Sequence, residues 1–175
     1  LATEQAAGRT LFECAIGVRE LLRLYLSALR AVVPFHAQGL AFGDICENTF
    51  LMQESGHILI QGLLGPFDLA ARQTALLPAI ETLHYVSPEQ RSGLMPSPAT
   101  DVYALGALGY RLFTGRYLSG DKPPQPGVTD VAITAPPPTT LKPDLPRWID
   151  DILGKCLEPE LADRFPSAVK LLDDI

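Results

Sequence analysis

Thr100-Asp101-Val102-Tyr103-Ala104-Leu105-Gly106-Ala107-Leu108-Gly109-Tyr110-Arg111-Leu112-Phe113-Thr114-Gly115 reads as one helix, opened by Thr-Asp and closed by Thr-Gly. Only Asp101 and Arg111 are charged. Val102, Leu105, Leu108, Gly109 and Leu112 recur at helical spacing, and Tyr103, Ala104, Ala107 and Phe113 fill most of the remaining surface. A helix that is apolar nearly all round must pack on several sides, so a central core helix is expected. Its 16 residues are too few, and too closely flanked by loops, to span a membrane. The Asp in its first turn needs a reason, because a buried carboxylate without partners is costly.

N-terminal to this helix, Arg19 to Gln38 carries an apolar stripe of Leu22, Leu26, Leu29 and Val33, widened by Tyr25 and Val32. Pro34 should kink or tighten its last turn, and Gly39 should stop it. Ala7-Gly8-Arg9-Thr10 reads as a turn. Thr49-Phe50-Leu51-Met52 and His57-Ile58-Leu59-Ile60, flanking Glu54-Ser55-Gly56, predict a short hairpin. Gly65 to Ile80 has weak periodicity and reads as loop, as does Tyr85 to Pro98 apart from a helical turn at Pro88-Glu89-Gln90. C-terminal to the central helix, seven prolines between Pro123 and Pro143 predict an extended surface loop without regular structure. Pro146 opens a helix over Arg147 to Leu157, and Phe165-Pro166-Ser167 opens a last one to Ile175. The fold class expected is mainly α with one small β-hairpin.

A length of 175 residues suits one domain with an ordinary core. The net charge of −6 and scattered basic residues argue against nucleic acid as a partner. No apolar run reaches the length of a transmembrane segment, and no signal peptide is visible. Cys14, Cys46 and Cys156 lack metal-ligand spacing and read as free thiols of a cytoplasmic protein.

Tyr85-Val86-Ser87-Pro88-Glu89-Gln90, then Thr100-Asp101-Val102-Tyr103-Ala104-Leu105-Gly106, then Lys155-Cys156-Leu157 and Asp163-Arg164-Phe165-Pro166-Ser167-Ala168, stand in an order that resembles the C-terminal (large) lobe of a bacterial serine/threonine protein kinase. The resemblance covers essentially the whole chain. It implies a hinge-like segment over residues 1–11 and a kinase-like C-lobe over 12–175, the chain beginning where the small lobe would end. Glu89 and Arg164 match a buried ion pair of that lobe, and Asp101 matches a carboxylate that accepts N–H bonds from the catalytic loop. Glu4, Gln5, Ala6 and Leu51 are the hinge and nucleotide-edge candidates, and Thr82 and Tyr85 match the loop that presents a peptide substrate.

Phosphoryl transfer in this family needs a catalytic Asp, a nearby Lys and an Asn and a second Asp for metal. The pattern His-Arg-Asp-x-Lys-x-x-Asn falls without gaps on Phe42 to Thr49. Asp44 keeps the catalytic Asp, whereas Phe42, Gly43, Cys46 and Thr49 replace the His, Arg, Lys and Asn. Eighteen residues after Asp44, the metal-binding Asp-Phe-Gly reads Gly62-Leu63-Leu64. Glycine offers no ligand, and Mg²⁺ wants carboxylate oxygens. The expectation is therefore a vestigial Asp44, degenerate Cys46, Thr49 and Gly62, and no resident metal. Asp68 and Glu47 are spare carboxylates, each more simply read as a solvated loop residue. His36 reads as a packed, hydrogen-bonded residue beneath the loop; with no histidine adjacent in sequence, Cys46 is a poor nucleophile candidate. Thr74, in the activation-loop region the resemblance implies, is a candidate phosphate acceptor that nothing in the sequence marks above an ordinary loop threonine.

The resemblance, with these losses, implies a pseudokinase acting as a protein-binding or regulatory module without cofactor. The alternative is an atypical ATP-dependent kinase or nucleotidyl transferase using Asp44 with an upstream small lobe, ATP and Mg²⁺. Its partner would be a protein or that small lobe. A homodimer through an exposed hinge face with Leu51, Leu63 and Leu64 is a third expectation.

Overall fold

Ser97 opens the central helix. Its hydroxyl accepts the Thr100 N–H, and the Thr100 hydroxyl accepts the Ser97 N–H, a reciprocal capping box with Pro98 at the first helical position. The helix thus starts before the Thr-Asp pair; Thr100 is the third residue of the box rather than the cap. Gly115 closes it at φ 75°, a left-handed conformation that glycine adopts without steric cost.

The computed structural model describes residues 9–14, 17–53, 58–60, 80–123 and 135–175. In chain order the elements are β1 (Arg9–Thr10), α1 (Leu11–Cys14), α2 (Val18–His36), β2 (Phe50–Met52), β3 (Ile58–Ile60), α3 (Pro88–Arg91), α4 (Pro98–Thr114), α5 (Pro138–Leu141), α6 (Trp148–Cys156) and α7 (Ala168–Asp173). Short 3₁₀ turns lie at Glu47–Thr49 and Ile80–Tyr85. The fold is mainly helical with one small antiparallel sheet.

α4 is buried along almost its whole length and packs against α2, α6 and α7. Tyr25 of α2 meets Phe113 of α4 edge-on at 5.3 Å. Gly109 admits the Tyr25 ring, and Gly106 admits Cys156 of α6: a Cβ built at either would stand 2.7 Å from those neighbours. The two glycines cost some helix propensity but let the helices approach closely. Leu105, Leu108, Leu24, Leu29 and Leu153 fill the interior between them; full burial of each such side chain contributes about 1.5–3 kcal/mol.

α2 runs through Pro34 to His36, and the turn after it passes through Gly39 (φ 72°), with Leu40 N–H reaching back to Phe35 O at 3.0 Å. The hairpin strands pair Phe50–Met52 with Ile58–Ile60, and a third strand joins them: Arg9–Thr10, read as a turn from sequence, pairs with Leu51–Met52. Two residues carry too little periodicity to reveal a strand whose partners lie 41 and 43 residues on. The proline-rich region also departs from expectation. Pro138–Leu141 is a helical turn, because proline at N1 needs no N–H, and Thr139 is held by hydrogen bonds from its N–H and hydroxyl to Asp150 of α6. Residues 124–134, like most of the Gly65 to Ile80 loop, lie outside the described residues.

Candidate functional site

The loop following α2 is held from below by Asp101. Phe42 N–H donates to Asp101 Oδ2 at 2.6 Å, and Gly43 N–H donates to Oδ1 at 2.7 Å. His36 Nε2 lies 3.0 Å from Oδ2, and Ala168 N–H at the start of α7 donates to His36 Nδ1 at 2.9 Å. Nδ1 is therefore the acceptor and Nε2 carries the proton toward Asp101. The carboxylate is buried (1% exposed) and fully engaged, which is the reason the central helix carries an Asp in its first turn. Phe42 and Ile45 turn into the core, Phe42 meeting Phe35 edge-on at 4.7 Å. Gln90 of α3 grips the loop from another side, its side-chain amide donating to Gly43 O at 2.6 Å. Asp44, between the buried neighbours, is exposed.

Beyond Asp44 the loop turns on itself. Thr49 is buried, its hydroxyl accepting Cys46 N–H at 2.9 Å and contacting Cys46 Sγ at 3.7 Å. Glu47 accepts the Tyr85 hydroxyl at 2.8 Å and lies 3.6 Å from Arg111 Nε. Burial, then the hydrogen bond to Glu47, pushes the Tyr85 phenol far above its ordinary value, so it stays protonated and donating. Arg111 also lies 4.3 Å from the centre of the Tyr117 ring, which stacks on His84 at 3.8 Å. His84 Nδ1 meets Ser119 Oγ at 2.6 Å. Burial holds the His84 imidazole below its ordinary value, outweighing the nearby Glu47 carboxylate.

Glu89 and Arg164 form a second anchor. The guanidinium binds the carboxylate through two bonds of 2.8 Å and also donates to the carbonyls of Glu158, Pro159 and Ala99. Burial raises the Glu89 carboxyl, but the Arg164 bonds and its backbone N–H lower it further, and the net is below the ordinary value.

Two side chains of the loop are engaged within the lobe: the Thr49 hydroxyl accepts Cys46 N–H, and Glu47 Oε1 meets Tyr85 and Arg111. Among the described residues no group of three or more His, Cys, Asp or Glu side chains is arranged to hold a metal ion. Glu4, Gln5, Ala6, His57, Gly62, Leu63, Leu64, Asp68 and Thr74 lie outside the described residues. Leu51 does not supply the exposed apolar face expected of it: it lies in the central strand of the sheet and is 6% exposed. No helix among the described residues is long and apolar enough to cross a membrane.

Sequence reading missed Gln90, Arg111 and Tyr117 as parts of this site. Ser87-x-x-Gln90 was legible as a capping box, but not the reach of the Gln90 amide to Gly43. Arg111 stood out only as an isolated charge on an apolar helix.

A buried helical carboxylate orders a loop carrying an exposed Asp, and a bidentate Glu–Arg pair forms a second anchor, as the resemblance to a protein-kinase large lobe implies. No family model matches the chain. It is 31% identical over 166 residues to the serine/threonine-protein kinase PknA of Mycobacterium tuberculosis, covering 91% of this chain and 37% of the relative. It is 27% identical over 184 residues to a probable serine/threonine-protein kinase PknB of Bifidobacterium longum, and 24% identical over 185 to a probable serine/threonine-protein kinase of Clostridium perfringens. Each of those two matches covers 100% of this chain and 27% of the relative, so the chain spans between 27% and 37% of the length of these three kinases. The chain is similar over nearly its whole length to a part of bacterial serine/threonine protein kinases, and its mainly helical fold with a small antiparallel sheet is consistent with their C-terminal lobe.

Proposed function

We propose that this lobe has kept the kinase scaffold and lost phosphoryl transfer, and that it serves as a protein-binding, regulatory module of a larger bacterial protein. The observation that carries this reading is the state of Thr49. At the position of a metal-binding Asn, its hydroxyl is turned into its own loop and bound to Cys46 N–H at 2.9 Å. Side-chain oxygens that hold a metal must converge on one point, and the Thr49 hydroxyl is occupied within its own loop. Cys46 at the position of the Lys, and Gly62 at the position of the second metal ligand, support the same reading. The scaffold, by contrast, keeps Asp101 on its loop and Glu89 on Arg164. A pseudokinase of this kind needs neither ATP nor Mg²⁺. The unpaired Cys46 and Cys156 support a cytoplasmic site.

The test uses the full-length protein with labelled ATP and Mg²⁺. No incorporation above an Asp44→Asn control is expected, and no Mg²⁺-dependent rise in melting temperature with ATP. Incorporation that disappears in Asp44→Asn would establish an atypical kinase instead.

A further inference from the structure

Residues of α1, α2, α4 and the turn after α5 surround a half-enclosed cavity of about 470 Å³. That size lies within the range of about 300–1,000 Å³ usual for small-molecule sites. Its lining is largely apolar. Leu112 of α4 and Leu145 are buried; Phe12 of α1, and Val18 and Leu21 of α2, are half-buried and line it too. An apolar body seated against them would take their remaining surface out of water.

The charges at this cavity fall into two kinds. Arg111 lines it, but its guanidinium donates to Gly115 O and lies beside Glu47, so it forms part of the wall. Lys142 and Asp144 also line it and are exposed; among the described residues neither side chain has a hydrogen bond or an ion pair. Both stand on one turn. Leu145 N–H donates to Lys142 O at 3.0 Å, Lys142 N–H donates to Pro138 O at 2.9 Å, and Pro143 fixes the backbone φ between the two charges. The buried Leu145 side chain anchors the turn to the core. One cation and one anion, both unpaired, are thus held two residues apart beside an apolar cavity.

We infer that this cavity binds a small zwitterion with an apolar side chain, the chemistry of a free apolar α-amino acid. Its side chain rests against Leu112 and Leu145, its carboxylate meets Lys142, and its ammonium meets Asp144. A simple acid or amine would leave one of the two charges unmatched, and a neutral apolar molecule would leave both. An α-amino acid carries its two charges on the carbon next to its side chain, which matches charges that flank an apolar lining. None of these residues belongs to the loop bearing Asp44, so the site stands whether or not phosphate is transferred.

Isothermal titration calorimetry of the full-length protein with L-phenylalanine tests this. Phenylpropanoate lacks the ammonium, phenethylamine lacks the carboxylate, and glycine lacks the apolar side chain. L-Phenylalanine is expected to bind about five-fold tighter than either singly charged compound, the increment of one good exposed ion pair, and glycine to show no binding. Lys142→Gln should bring L-phenylalanine down to the level of phenethylamine, and Asp144→Asn to that of phenylpropanoate. Both positions are exposed, so these variants keep their fold, which a thermal melt verifies. Leu21→Trp, which fills the cavity, should remove the binding of all three aromatic compounds. No binding of L-phenylalanine, equal binding of the three aromatic compounds, glycine binding as well as L-phenylalanine, or a preference that survives Lys142→Gln and Asp144→Asn overturns the inference. Binding that survives Leu21→Trp in a folded variant also overturns it, by placing the site elsewhere.

Discussion

His36 and Asp101, 65 residues apart in sequence, meet at 3.0 Å in the interior. The bond links three parts of the lobe. Ala168 N–H at the start of α7 orients the imidazole, the imidazole orients the carboxylate, and the carboxylate orders Phe42 and Gly43. The geometry of the loop bearing Asp44 thus depends on residues far from it in the chain.

Replacing Asp101 by Ala would strand the N–H groups of Phe42 and Gly43 together with His36 Nε2. At about 1–3 kcal/mol for each buried donor left unsatisfied, with partial relief by water, a total loss of about 3–5 kcal/mol is expected. Urea unfolding of wild type and Asp101→Ala checks it. A loss under about 1 kcal/mol would mean that the loop reorganises freely.

Arg164→Ala should cost about 3–5 kcal/mol, because it leaves the Glu89 carboxylate buried and unpaired. The pair also has a pH signature. The folded Glu89 carboxyl lies below its ordinary value of 4.5, so its stabilisation is present above that value and is lost as pH falls through the lower folded value. Wild type should therefore lose stability in acid below about pH 4.5 more steeply than Glu89→Gln, as read by denaturant midpoints from pH 3 to 7.

Gly106→Ala and Gly109→Ala should both destabilise, although alanine is the better helix former. The new methyl at 106 would meet Cys156 Cβ, and at 109 the Tyr25 ring, each at 2.7 Å. Overpacking of this kind costs about 1–3 kcal/mol, more than the roughly 1 kcal/mol gained in propensity. Cys156 Cβ is fixed to its backbone while a ring can tilt, so Gly106→Ala should have the lower melting temperature.

Cys156 should resist alkylation. It is fully buried, and burial, only partly offset by Lys155 and Arg164, pushes its thiol far above the ordinary value. Mass spectrometry after iodoacetamide at pH 8 should find Cys156 unmodified in the folded protein and modified in urea.

Much of the lobe was legible because it rests on local signals. The stripe of α2, the apolar girth of α4, Ser167 before α7 and the glycines at 39 and 115 are each read within a few residues. The Glu89–Arg164 and Asp101 pairings were expected only through the resemblance, since nothing local joins residues 75 or 59 positions apart. The short helical turn at Pro138–Leu141 and the strand Arg9–Thr10 escaped reading because long-range partners, Asp150 and β2, stabilise them.

By itself the sequence determined a helical lobe around Thr100–Gly115 and the identities that break the kinase pattern, Cys46, Thr49 and Gly62. Only the tertiary structure decided what the remaining polar groups do: Thr49 folded onto Cys46, Glu47 taken by Tyr85 and Arg111, and Gln90 reaching Gly43. A residue type states which bonds a side chain can make. Packing sets its direction and the competitors within reach, and those decide which bonds it does make.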